Sequence, residues 1–311
     1  MTAPTLATAV RLSCYTTNLV AYLEFDRPDA ARDLARSVRL SVRVDTPDGV
    51  LAFTHHARVD TGPDGWQLGY RGAPDWDRTR AALRRELDDH RRVLAVGNTR
   101  HLPWSPGYGG AGVPHWLLLT GHRDGRWSVV DQFAALLPSG EQHPYTGWLD
   151  DDELRSALTP TGAVPAQIAL RDVHALGEPV PLPPAGHHRW LVRQPQIRAA
   201  ADREGWLSGP EEVLRFLAGR LATDGAALDR HADDLWAAGR HQQHRLAELA
   251  ATGRLPAAVA DAAIRSWNEL PRSLRFAAAS AQRGRPRPGV VTKAFDDVID
   301  TMDRARREER S

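Results

Sequence analysis

Two rhythms of apolar positions run along this chain, and they divide it. In the first half, short apolar runs alternate with turn residues. Val38, Leu40, Val42 and Val44 fall at every second position between Ser37 and Asp45, the period of a half-buried strand. Pro47-Asp48-Gly49 reads as a turn, and Val50 to Thr54 as the strand that returns from it. Trp66 to Tyr70 is a further strand candidate, and Val93 to Val96 reads as a buried strand. His115 to Thr120 and Trp127 to Asp131 read as a hairpin closed by Arg123-Asp124-Gly125. Two helices interrupt these strands. One starts near Cys14 under a Ser13 cap and runs through Leu23; the other covers Asp77 to Asp89, with Leu83 and Leu87 on one face. Asp150-Asp151-Asp152-Glu153 reads as the acidic start of a short helix.

The second half carries helical spacing. Helices are predicted over Pro210–Thr223, Ala226–Ala238, His241–Ala251, Pro256–Asn268, Leu270–Ala281 and Val291–Arg307, with Gly253 and Gly284 as stops. The rhythm changes near Pro179 to His188, where proline crowds the chain and a linker is expected. The pattern predicts an α+β protein: residues 1–180 with mostly antiparallel sheet, then an all-helical region over 190–311.

Composition refines this picture modestly. A chain of 311 residues, 25% charged and 42% hydrophobic, is long enough for one large or two moderate cores. A net charge of +1 with interspersed signs gives no footprint for nucleic acid. No run approaches the roughly 18 apolar residues of a spanning helix, and Met1 to Val10 does not read as a signal peptide. The single cysteine, Cys14, excludes an intramolecular disulfide and a multi-thiolate zinc site, and suits a reducing, cytoplasmic compartment.

That cysteine is also the leading candidate for chemistry. A thiol becomes a useful nucleophile when a helix N-terminus and an imidazole stabilise its thiolate. Cys14 stands where the first helix begins. His115 opens the apolar strand PHWLLLTG and Asp131 closes the strand WSVVD, so a hairpin brings them to one end. An acid so placed orients an imidazole and stabilises its cation. Gly107, Gly109 and Gly112 satisfy G-x-G-x-x-G, but they precede a strand, so they read as a flexible loop and not a dinucleotide fingerprint. His231, His241 and His244 read as a solvated helix face and Arg304 to Arg310 as a polar tail.

The segment Cys14-Tyr15-Thr16-Thr17-Asn18-Leu19 resembles the cysteine-bearing first helix of the butirosin-biosynthesis acyltransferase family. The stretch VLAVGNTRHLPWSPGYGGAGVPHWLLLTGHRDGRWSVVDQF resembles that family's second hallmark, supplying Leu102-Pro103-Trp104, His115, Gly121 and Asp131. The likeness covers roughly the first half of the chain. It implies a papain-like fold, related to the bacteriocin-processing cysteine peptidases. It also implies acyl transfer in secondary metabolism, such as antibiotic biosynthesis, without a cofactor or metal. The donor would be a phosphopantetheinyl thioester on an acyl carrier protein, and the acceptor a small molecule; a homodimer is left open. Cys14 would be the nucleophile, His115 base then acid, and Asp131 the orienting group. The related peptidases hold the oxyanion with a Gln upstream of the cysteine, and no Gln precedes Cys14 here. Oxyanion and substrate contacts then fall to Thr16, Thr17, Asn18, Asn98, Trp104 or backbone N–H groups. A thioesterase or cyclase, a peptidase, and a binding protein that kept the fold are the competing expectations.

Overall fold

The structure, a computed structural model, describes residues 12–46, 49–137, 139–196 and 204–310. Met1 to Val10 and the Pro47-Asp48 part of the expected turn lie outside them. In chain order the elements are α1 (Cys14–Leu23), α2 (Ala30–Ser37), β1 (Val38–Arg43), β2 (Ala52–His56), β3 (Trp66–Ala73), α3 (Trp76–His90), β4 (Val93–Asn98), β5 (Pro114–Arg123), β6 (Arg126–Asp131), β7 (Ala135–Leu137), β8 (Gly140–Gln142), β9 (Tyr145–Leu149), α4 (Asp151–Ala157), α5 (Ala166–Val173), β10 (His188–Pro195), β11 (Trp206–Leu207), α6 (Pro210–Thr223), α7 (Gly225–Ala251), α8 (Ala257–Gln282) and α9 (Pro288–Arg310). The fold is α+β with antiparallel sheets and a helical C-terminal region.

Residues 12–31 and 58–196 form one compact unit. Its frame is an antiparallel six-stranded sheet in the order β3-β10-β4-β5-β6-β9. Every residue of β4 is buried, which is why its sequence shows a continuous apolar run and no alternation. Val93 and Ala95 of β4, Leu117 and Leu119 of β5, and Trp127 and Val129 of β6 pack in one core with Leu83 and Leu87 of α3. Helix α1 packs against β5 and β4. Asp124 and Gly125 both have positive φ, the geometry of the tight turn that matches strand twist, and they close β5 onto β6. Asp150 caps α4 in a reciprocal box with Glu153.

Residues 32–57 and 204–310 form the second unit. The β1–β2 hairpin and β11 make its small antiparallel sheet. Leu40, Val42, Leu51 and Phe53 share a core with α6 to α9 residues including Leu217, Leu235, Trp267 and Phe295.

Several expectations need correction. The residues after the proline-rich stretch are not a passage into an all-helical region: β10 inserts between β3 and β4, pairing with both. The division expected between 180 and 190 therefore gives way to two discontinuous units, with α2 at the first crossing. The predicted gaps at Gly239–Arg240 and at Glu269 lie inside single helices, α7 and α8, and α8 also runs through Pro271. Gly239 and Pro271 meet at one carbonyl. Proline cannot donate to the carbonyl four residues back, which here belongs to Trp267. A Cβ added at Gly239 would sit 3.2 Å from that same carbonyl oxygen. Glycine thus lets α7 approach α8 where the ladder lacks a bond. The Arg304 to Arg310 tail is helical, and Glu309 pairs with Arg245 and Arg254.

The histidines of α7 are not a solvated face either. His231 and His241 are fully buried. His231 accepts the Leu51 N–H on Nε2, so its Nδ1 carries the proton that bonds Asp234, at 2.9 Å. His241 donates Nδ1–H to the Ala237 carbonyl and stacks against His55 and His56. Burial holds the His241 pKa well below the ordinary value, and the charges of His55, His56 and His244 add to this. Among the described residues no group of three or more potential ligands could hold a metal ion. A histidine with a depressed folded pKa contributes stability above its unfolded pKa, and that stability is lost as pH falls. Unfolding in urea should therefore show the helical unit weakening below about pH 6.5, by up to about 1.4 kcal/mol per pH unit from His241. His241→Leu should flatten that slope; an unchanged slope would remove His241 as its source.

Candidate active site

The first unit gathers its buried polar groups around one carboxylate. Cys14 is the first residue of α1, and the helix starts there because Ser13 is extended and its hydroxyl accepts from the Thr16 N–H. The Ser13 carbonyl accepts the Thr17 N–H at 2.9 Å. Helical geometry leaves the N–H groups of Cys14 and Tyr15 without a carbonyl partner within the helix. His115 lies in β5 opposite Gly97 of β4, and Asp131 ends β6.

His115 Nε2 and Asp131 Oδ2 are 2.8 Å apart. Cys14 lies close enough to His115 for its thiol to favour the charged imidazole. Of the three residues singled out from sequence, His115 and Asp131 are hydrogen-bonded, and Cys14 is near enough to influence the imidazole.

Asp131 is fully buried and receives four further donors. Trp104 Nε1–H and Gln142 Nε2–H reach Oδ2 at 2.9 and 3.0 Å. Asn18 Nδ2–H and the Phe133 N–H reach Oδ1 at 3.1 and 3.0 Å. The Asn18 amide also donates to the Trp116 carbonyl and accepts the Gln132 N–H, so it ties α1 to β5 and to the end of β6. The Trp104 indole stacks on Tyr145 with ring centroids 3.9 Å apart, and Phe133 meets His115 edge-on.

The electrostatics follow from these contacts. Burial disfavours the His115 cation, but the charge and hydrogen bond of Asp131, then the hydrogen bond and charge of Cys14, outweigh it and push the imidazole pKa up to about 10. Burial raises the Asp131 pKa, yet the His115 charge and the hydrogen bonds of His115, Trp104 and Asn18 hold it below the ordinary carboxylate value. At neutral pH the pair is imidazolium and carboxylate.

The other candidates occupy different places. Thr16 is buried, and its hydroxyl turns back to the Ser13 hydroxyl and carbonyl. Thr17 is buried in the same helix. Asn18 and Trp104 join the Asp131 cluster. Asn98 does not: its Oδ1 accepts the Arg100 N–H and its Nδ2 donates to the Thr159 carbonyl. A Cβ at Gly112 would collide with the Asn98 side chain, so this asparagine braces the glycine loop ahead of β5.

Two groups escaped the sequence reading. Gln142 ends the short strand β8, and its lone polar signal there was indistinguishable from an exposed hairpin residue. The second is a buried network at Tyr15, Tyr70, Asp172 and Arg189. Its members lie far apart in sequence, and only the fold joins them.

No protein-family model matches this chain, and no curated protein is significantly similar to it, so the site rests on its own geometry.

The imidazole titration tests that geometry directly. By NMR, His115 in the native protein should stay protonated through pH 8 and titrate near the expected value of about 10. In Asp131→Asn the opposing charge is gone and burial acts with far less to oppose it, so the titration should move down by at least about two units. A His115 titration that ignores Asp131 would refute the coupling.

Proposed function

We propose that the chain is a cysteine acyltransferase that carries its acyl group on Cys14. The observation that supports this most strongly is the His115 imidazolium, held by the buried Asp131 and raised in pKa by the neighbouring Cys14 as well. A resident imidazolium is the counter-ion a thiolate needs. The proposed fold is papain-like, with α1 bearing the nucleophile and the β5–β6 hairpin bearing its partners, and the proposed setting is a reducing cytoplasm.

The steps balance with these groups alone. The Cys14 thiolate attacks the carbonyl carbon of a thioester, and the bond from that carbon to the carrier's sulfur breaks. His115 gives its proton to the departing thiolate, leaving a neutral imidazole beside an acyl-cysteine. An amine then attacks the acyl carbon while His115 takes up the proton that the amine loses. The carbon–Sγ bond breaks, the amide leaves, and the thiolate–imidazolium pair is restored. Because the proton starts on the ring, His115 acts as acid before base. The N–H groups of Cys14 and Tyr15 at the start of α1 are the proposed donors to the oxyanion.

The proposed donor substrate is a phosphopantetheinyl thioester on a carrier protein, and the acceptor a small amine, as the resemblance to the butirosin-biosynthesis family suggests. Intact-mass measurement after mixing with an acylated carrier domain, or with an N-acetylcysteamine thioester, should show one acyl group on the native chain and none on Cys14→Ala. An added amine should discharge it as an amide. Discharge to free acid would make the enzyme a hydrolase, and ring release a cyclase. His115→Ala should slow acylation about 10³-fold or more and Asp131→Asn by at least about 10²-fold. An unmodified Cys14 under all these conditions would sink the proposal.

A further inference from the structure

The buried network that the acyl-transfer steps leave unused begins one residue after the thiol. Tyr15 donates its hydroxyl to Asp172 Oδ1 at 2.7 Å, and Tyr70 donates to the Asp172 carbonyl at 3.3 Å. Arg189 Nη2 stands 2.8 Å from Asp172 Oδ2. Burial pushes both phenols up, and the charges of Asp172 and Cys14 add to it, so both rings lie within electrostatic range of the sulfur.

Over this network opens a cavity of about 270 Å³. Its walls are the 160–164 loop ahead of α5 and the proline-rich 182–187 loop ahead of β10, and Asp172 and Arg189 line it. The walls are mostly small and apolar, among them Ala163, Val164, Leu182 and Pro183. Such a space is close to the lower size of small-molecule sites, which are apolar with a few placed polar groups.

The polar inventory decides what it takes: Asp172 and Arg189, with Thr161 and His187 on the two loops. His187 Nδ1 has no hydrogen-bond partner among the described residues. Both carboxylate oxygens of Asp172 are engaged, by Tyr15 and by Arg189. A guanidinium carries five N–H donors and no acceptor, and its nearest contact with Asp172 is made through Nη2. The side chain of Arg189 is 14% exposed, and it lines the cavity. The wall therefore presents spare donors in a planar fork, the geometry that matches a carboxylate.

We propose that this cavity is the subsite for a carboxylate borne by the acyl substrate, with Arg189 receiving it and Tyr15 and Asp172 fixing the guanidinium. The link to Cys14 rests on the acyl-enzyme reading; the recognition of a carboxylate does not. Asp172 acts through Arg189 and is a positioning residue. The proline-rich stretch thereby acquires a role as a wall.

Glutarate and pentanoate, which differ only in a carboxylate for a methyl, are suitable probes. On the Cys14→Ala protein, ligand-observed NMR should find glutarate at least about tenfold tighter than pentanoate, the ratio expected for a charge-assisted hydrogen bond. Arg189→Gln should bring that ratio within about twofold. Removing Arg189 alone leaves a buried carboxylate unpaired, so Asp172→Asn combined with Arg189→Gln is the paired variant if the single one does not fold. Ala163→Trp, on an exposed loop position, should block the cavity and abolish glutarate binding. Equal binding of the two probes, or a preference that survives the arginine variants, would overturn the assignment. Glutaryl and pentanoyl N-acetylcysteamine thioesters then separate the two claims. A glutarate preference without any acyl-Cys14 would leave the subsite standing and remove the acyl-enzyme. Acylation at equal rates, with equal binding, would remove the subsite alone.

Discussion

The Asp131 carboxylate is the group on which the first unit's polar architecture depends. Burying a bare carboxylate costs far more than one hydrogen bond returns. Here five donors meet it, from His115, Trp104, Gln142, Asn18 and the Phe133 backbone. They come from α1, the loop after β4, β5, the turn after β6, and β8. One small anion therefore helps fix the mutual position of all five segments, with the Asn18 amide as a second polar link between α1, β5 and the end of β6. Its charge also decides the protonation of His115, and through it the ionic environment of Cys14. An asparagine there would keep the shape, lose the charge, and turn part of the acceptor set into donors facing donors.

Much of this was legible from local sequence, for a physical reason. Ser13 before Cys14, Asp150 with Glu153, and Asp124-Gly125 each satisfy or shape backbone within a few residues, so composition alone reveals them. The hairpin that carries His115 and Asp131 was legible, but its turn does not fix their meeting alone, because the register shifts by one between Leu119 and Gly121 and so puts Asp131 on the His115 face. Long-range pairing left no such mark. His188 to Pro195 has strand-forming residues, but nothing in it announces a place between β3 and β4, whose partners lie about a hundred positions earlier. Gly239 misled because glycine weakens an isolated helix; in the packed pair its missing Cβ leaves room for α8 at the Trp267 carbonyl, beside Pro271. Gln142 and Asp172 are single polar residues whose burial is decided only when the sheet and loops have assembled.

Two buried carboxylates reach the neighbourhood of Cys14 through different neighbours, and their pKa values move in opposite directions. Asp131 arrives through His115 and is held below the ordinary range, because a cation and several hydrogen bonds outweigh its burial. Asp172 arrives through Tyr15 and is raised, because burial outweighs Arg189 and the phenol. Environments that push like groups apart are a common device for giving them different tasks. On the Asp131 side the negative charge is firmly fixed and neutralises a histidine that carries a proton. On the Asp172 side the carboxylate is a weaker anion whose work is to hold a guanidinium at a cavity wall. The two carboxylates therefore differ in charge environment although both neighbour residues near the start of α1. This asymmetry follows from where the hydrogen-bond donors fall, and not from the chemistry of the two aspartates, which is the same.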